Sequence, residues 1–251
     1  MSRELVKEML REKGLPSINF RVSNFTRRDV EALKVSFQSV TCNNQIIPPV
    51  DVSKDFPEQY VQPDIHHEEL EKRSFDIRKI GGIPDDVRTF ILKLHWVVKN
   101  ATVITGTDET YTDTLVDDLL RIAGLNTFPL AIRNHQECRL FIGGYPYLSA
   151  DPEFSIKMVD TSMIAVEDKH LQNIGLSKGF GEWQIVAEIL ACGDENMQLG
   201  EGLPQEQSVV ILRWPGENIP EAGLNIAGPE GRREVLEILV RIRQDLIASG
   251  N

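Results

Sequence analysis

The stretch Phe154-Ser155-Ile156-Lys157-Met158-Val159-Asp160-Thr161-Ser162-Met163-Ile164-Ala165-Val166-Glu167-Asp168-Lys169 decides the architecture. Met163 to Val166 is apolar and partly β-branched, the composition of a buried strand, and it ends abruptly in charge. Strand side chains alternate between faces, so Glu167 and Lys169 share one face and Asp168 takes the other. Phe154 to Val159 reads as a second strand, joined through the Asp160-Thr161 turn to a strand over Ser162 to Lys169. Pairing about that turn sets Asp151 near Lys169, so Asp151 and Glu167 meet at one end of the sheet. A carboxylate and an ammonium at the end of a buried strand are costly to desolvate unless they serve each other or a metal. Lys169 is the only lysine of the chain with an acid two residues before it.

Outward from this pair, helices and strands follow in a definite order. On the N-terminal side, Thr107 or Asp108 caps a helix to Ala123 that Gly124 closes, with Leu115, Leu119 and Ile122 facing the core. Phe128 to Arg133 and Arg139 to Ile142 read as strands, and Gly143-Gly144 as a turn. On the C-terminal side, Gly181 to Cys192 is helical and Ser208 to Trp214 is a strand, with Leu224 to Ala227 a further candidate. A last helix runs from about Pro229 to Ala248, burying Val235, Leu236, Leu239, Ile242 and Leu246. Helix, strands, helix, strands, helix makes an α/β sandwich on a mixed sheet.

The first hundred residues have another rhythm. A helix is expected over residues 2 to 13, ended by Gly14 and Pro16, and Thr26 caps one over Arg27 to Phe37 with Val30, Leu33 and Phe37 as its stripe. Thr41 to Pro63 is an irregular connection rich in Pro, Asn and Asp. His66-His67-Glu68-Glu69 opens a short charged helix, and Pro84 starts another over Asp85 to Asn100 with Val87, Phe90, Ile91, Leu94 and Val98 on one side. The expected division is therefore a mostly helical region, 1–104, and an α/β domain, 105–251.

The 251 residues carry 41% hydrophobic side chains, enough for a sizeable core, and no run near the roughly 20 apolar residues of a membrane span. The charged, amphipathic start lacks the apolar run of a secretory signal, and the 3 cysteines, Cys42, Cys138 and Cys192, lack Cys-x-x-Cys spacing. These features give the expectation of reduced thiols in an intracellular protein, cytoplasmic or nuclear. A net charge of −11 opposes a broad nucleic-acid-binding face but leaves room for a site whose acids hold a divalent cation.

Asp151 and Glu167 at one sheet end suit Mg²⁺ or Mn²⁺, which prefer hard oxygen ligands, and Lys169 beside them suits the handling of a water nucleophile. Glu109 in a helix, Ala150-Asp151, Val166-Glu167-Asp168-Lys169 and Gln184 on the following helix together resemble the PD-(D/E)xK nuclease superfamily, most closely the nuclease-like domains common in fungal proteins. The resemblance covers roughly residues 105 to 193, or at its widest to 248, and leaves the first hundred residues outside it. It implies a restriction-endonuclease-like α-β-β-β-α-β core and a metal-dependent nuclease, with DNA favoured over RNA. It further implies metal binding by Glu109, Asp151 and Glu167, assistance to the nucleophile from Lys169, and support of the site by Gln184. Pro152 follows Asp151 where the family places proline before it, and Asp168 stands where a small or apolar residue is usual. Glu153 competes with Asp151 as ligand, and Asp108 and Asp113 compete with Glu109. Lys157, Lys169, His170 and Lys178, with Arg133 and Arg139, are candidates for a basic rim along a phosphate backbone. The rival to the whole assignment is an inactive module of the same fold that binds nucleic acid or protein, with a homodimer or a partner engaged through the N-terminal region.

Overall fold

A computed structural model describes residues 3–12, 18–102, 108–142, 145–166, 181–198, 209–214 and 223–249. The helices are α1 (Arg3–Glu12), α2 (Arg27–Ala32), α3 (His67–Glu71), α4 (Asp85–Ala101), α5 (Thr110–Ile122), α6 (Glu182–Gln198) and α7 (Pro229–Ser249). The strands are β1 (Val35–Ser39), β2 (Leu130–Asn134), β3 (Cys138–Ile142), β4 (Tyr145–Ala150), β5 (Phe154–Met158), β6 (Thr161–Val166) and β7 (Val209–Arg213). The protein is thus mixed α/β, as the alternation of periods indicates. Its described strands fall into three small sheets, β1–β7, β2–β5–β6 and β3–β4, where the sequence points to one mixed sheet.

The chain groups into two compact units, each assembled from separated segments. One lies within Met1–Ile46, Ala131–Glu167 and Ile174–Ile219, the other within Ile47–Leu130, Asp168–Asn173 and Pro220–Asn251. Both units draw on residues from either side of position 104, where the sequence reading divides the chain once.

In the first unit, β5 and β6 form the antiparallel hairpin expected about Asp160, with Phe154 opposite Val166 and Met158 opposite Thr161. A bulge between Ile156 and Lys157 shifts the register by one and sharpens the local twist. β3 and β4 form a second antiparallel pair, again bulged, between Leu140 and Phe141. The sequence reading passes over β4. It also carries the Thr26 helix on to Phe37, whereas α2 stops at Ala32, Lys34 turns the chain at φ 55° and β1 pairs in parallel with β7. Val35 and Phe37, two apart, lie on one strand face against the core, which is strand and not helix spacing.

Helix α6 runs six residues past Cys192, where the sequence reading ends it, because its last turns bond the strands beneath. Asp194 Oδ2 accepts the Phe141 N–H at 2.5 Å, Glu195 Oε2 accepts the Arg139 N–H at 3.2 Å, and Asn196 Oδ1 accepts the Ser162 N–H at 2.9 Å. In an antiparallel pair alternate residues aim their N–H groups away from the partner, so residues 139 and 141 are the outward donors of β3. With carboxylates on both, that edge has no donors left for another strand. This gives a physical reason why β3–β4 stands apart from β2–β5–β6. The core of this unit gathers Val30, Val35, Tyr147, Leu148, Val186, Ala187 and Leu190, among others.

In the second unit, α4 buries Val87, Phe90, Ile91, Leu94 and Val98, the stripe read from spacing. Asp108, one residue before the cap position, accepts the Thr110 N–H (3.0 Å) and hydroxyl (2.7 Å) at the start of α5. The helix ends in the crossed pair Gly124 N–H to Arg121 C=O and Leu125 N–H to Leu120 C=O, both 2.9 Å, with Gly124 at φ 79°. Residues 224–227 form a turn and not a strand, stabilised by the Asn225 side chain accepting the Ala227 N–H at 3.0 Å. Gly231 lets the first turn of α7 approach that turn; a Cβ there would sit 2.1 Å from the Asn225 carbonyl oxygen. The buried positions of α7 are Pro229, Arg232, Leu236, Val240 and Arg241, so of the expected stripe Leu236 is buried, Val235, Leu239, Ile242 and Leu246 are half-buried, and two arginines share the buried face.

Candidate functional site

The three residues between β4 and β5 carry the described part of the site. Asp151 is exposed, Pro152 is buried beneath it, and Glu153 is half-buried. Ala150, the last residue of β4, is buried and pairs with Cys138, which fixes the strand end from which Asp151 projects. His135, at φ 49°, donates its backbone N–H to the Glu153 carbonyl at 3.3 Å and sets Nδ1 3.6 Å from Glu153 Oε2. That contact ties the β2–β3 turn to the start of β5. Because Phe154 pairs with Val166, residues 151–153 lie at the open end of the β5–β6 hairpin, the end at which β6 finishes.

Gln184 is half-buried in the first turn of α6 and donates Nε2 to Glu188 Oε1 at 2.9 Å, while Glu188 itself is 1% exposed. Glu109, exposed, occupies the N-terminal cap position of α5 and belongs to the second unit. Glu167 and Lys169, with Asp168, His170 and Lys178, lie outside the described residues. The structure therefore brings Asp151 to the hairpin end, and it sets Gln184 on the expected helix but bonded to an acid of that helix. Of the basic rim, Arg139 is paired with Glu137, Nη2 to Oε2 at 3.2 Å.

Asp151 and Glu153 are hard oxygen donors of the kind Mg²⁺ and Mn²⁺ select. Among the described residues no group of three or more His, Cys, Asp or Glu side chains is gathered to hold a metal ion. A complete ligand set at the hairpin end would take its further donor from the chain following Val166, where Glu167 stands.

Sequence reasoning misses the polar scaffold behind the hairpin. Gln136 Oε1 accepts the Ser155 hydroxyl at 2.9 Å, Gln136 Nε2 donates to Ser162 Oγ at 3.3 Å, and Asn196 Nδ2 donates to the Ser162 carbonyl at 2.6 Å. These amides span three elements far apart in sequence, and no local period marks them. Asp194 is missed for the same reason: burial raises its carboxyl above the ordinary value, and the Phe141 N–H works against that shift. The buried Cys138–Cys192 contact, Sγ to Sγ 2.9 Å, has no signature in cysteine spacing either.

No helix among the described residues is long and apolar enough to cross a membrane. No protein-family model, no curated protein and no solved structure matches the chain.

Proposed function

We propose that the open end of the β5–β6 hairpin is a divalent-metal site and that the protein hydrolyses phosphodiester bonds of nucleic acid, DNA in preference to RNA. The observation that carries this reading is the Phe154–Val166 pairing, which puts Asp151 at the strand end that Glu167 and Lys169 follow in sequence. In this assignment Asp151 and Glu167 hold Mg²⁺ or Mn²⁺, with Glu153 as the neighbouring donor. Bound there, the ion would supply Lewis acidity toward the phosphoryl oxygen and acidify a water. Lys169 orients or deprotonates the attacking water, and Gln184 supports the site from α6. Glu109, to which the resemblance gives a metal-binding role, belongs to the second unit and is left out of this assignment. The order of strands, helix and strand over residues 130–213 supports a PD-(D/E)xK-like core, and the charge balance is tolerable because bound metal reverses the local field.

A second reading is a non-catalytic module of the same fold that binds nucleic acid or a protein partner, including a second copy through the N-terminal region. The net charge of −11 and the engagement of Gln184 with Glu188 favour it. Thermal unfolding with Mn²⁺ separates the two. A metal site raises the transition as the ion concentration climbs through millimolar, by mass action, and Asp151→Ala abolishes the rise. An unchanged wild-type transition sinks the metal assignment and leaves the module.

A further inference from the structure

Cys138 opens β3, and Cys192 lies on α6, 54 residues away in sequence. Both are free thiols, 0% and 6% exposed, packed in the core of the first unit with Leu140, Leu148, Ala150, Ala187 and Ala191. Their sulfurs are 2.9 Å apart, only about 0.9 Å beyond a disulfide bond of about 2.05 Å. Both residues sit on regular elements, β3 and α6, that pack against each other. We propose that Cys138 and Cys192 are a redox pair, joined by mild oxidation into an intrachain disulfide that clamps α6 to the β3–β4 strands.

The Cys192 thiol donates its proton toward Cys138, which lowers the Cys138 value and raises that of Cys192, a direction that favours the Cys138 thiolate as the attacking group. With a peroxide as oxidant, the Cys138 thiolate attacks one oxygen, the O–O bond breaks, and protonation of the departing oxygen gives water and a Cys138 sulfenic acid. Cys192 sulfur then attacks the sulfenic sulfur, the S–O bond breaks, and its oxygen leaves as a second water carrying the Cys192 proton. Two thiols and one hydrogen peroxide thus give one disulfide and two waters. Small oxidants suit a pair this buried. Cys42, exposed, is remote in role and serves as the control position.

Cys138 pairs with Ala150, and Asp151 is the next residue, so the clamp would bind the helix that carries Gln184 to the strand pair that Asp151 follows. The inference stands whether or not the metal site does, because it rests on the thiols alone. The test uses the full chain with Cys42→Ser, treated while folded with hydrogen peroxide, then denatured and alkylated. Peptide mapping should show Cys138 linked to Cys192 with no alkylatable thiol left. The thermal transition should rise on the order of 10 °C and return on reduction with dithiothreitol. Two alkylatable thiols after treatment, oxygenated Cys138 without a link, or a link that forms only in denatured protein would each overturn the proposal. So would a link that leaves the thermal transition unmoved.

Discussion

Among the described residues the two units bury charge of opposite sign, and Asp29 and Asp194 on one side and the arginines on the other answer different backbone needs. In the first unit the buried charged residues among those described are the acids Asp29, Glu188 and Asp194, the last engaging a strand edge and Glu188 the Gln184 side chain; in the second they are Arg232 and Arg241. Asp29 accepts the backbone N–H groups of Asn19 (2.8 Å) and Thr26 (2.9 Å), as well as the Asn19 amide and the Thr26 hydroxyl. Asp194 takes the outward N–H of an edge strand. Arg232 instead donates to five carbonyls, with Nε at 2.8 Å from Val61 and Nη1 at 3.0 Å from Ala227, and further bonds to Gln62, Ile65 and Ile226. Arg241 reaches the carbonyls of Ile47 and Pro48. Strand edges and helix starts leave donors unsatisfied, so acids complete them; irregular loops around α7 leave acceptors, so guanidinium forks complete those.

The largest effect that can break this comparison is at Arg232. Its burial lowers the guanidinium to about 10, evidence of a desolvated cation held by its carbonyl partners. Arg232→Ala is expected to cost about 4 kcal/mol in chemical denaturation, through five stranded carbonyls as well as lost packing. Arg232→Lys keeps the charge but not the fork, and should recover less than half of the loss. A lysine variant as stable as wild type would show that charge alone matters there.

Asp29 gives the next effect and its pH signature. Burial alone would raise its carboxyl, but the Thr26 and Asn19 hydrogen bonds outweigh it and hold the group below 3.8. A depressed carboxyl contributes stability that is present above the unfolded value and is lost as the pH falls below 3.8 through the folded value. Asp29→Ala should cost about 3 kcal/mol at neutral pH, by loss of buried charge-assisted bonds at the α2 start. Asp29→Asn should flatten that part of the acid limb of the stability profile. An acid limb unchanged in the asparagine variant would contradict the assignment.

Asp194 sharpens the comparison with a smaller effect of opposite slope. Its carboxyl is raised by burial, so the folded state keeps a proton above 3.8 that the unfolded chain has lost. Its contribution therefore declines as pH rises from 3.8 through the folded value. Asp194→Asn still offers an acceptor to Phe141 and should cost under about 1 kcal/mol, while Asp194→Ala strands the donor and should cost about 2 kcal/mol. Amide exchange at Phe141 reads this directly: it should accelerate in the alanine variant and stay near wild type in the asparagine variant.

The sequence disclosed what local periods encode. The α4 stripe, the Gly124 stop, the Thr26 cap and the hairpin about Asp160 all rest on neighbours within a few residues, and all are present in the structure. What it concealed depends on pairs far apart. The end of α6 lies beyond Gly193 because Asp194, Glu195 and Asn196 bond residues 139, 141 and 162, and helix propensity alone, with glycine costing about 1 kcal/mol, argues for stopping there. The arginines of α7 share its buried face because their partners are loop carbonyls, which sequence spacing does not register. Of the proposed site, Asp151 was legible as a charge beside a strand start. Glu167 and Lys169 rest on the motif itself.

The most direct test of the functional account is cleavage of plasmid and single-stranded DNA by the purified protein in Mg²⁺ and Mn²⁺, with Asp151→Ala and Lys169→Ala alongside and folding checked by circular dichroism. The account predicts metal-dependent cutting that falls by at least about 100-fold in each folded variant. Cutting that persists in Lys169→Ala would remove that lysine from the chemistry, and a wild-type protein that cuts neither substrate with either metal would contradict the nuclease.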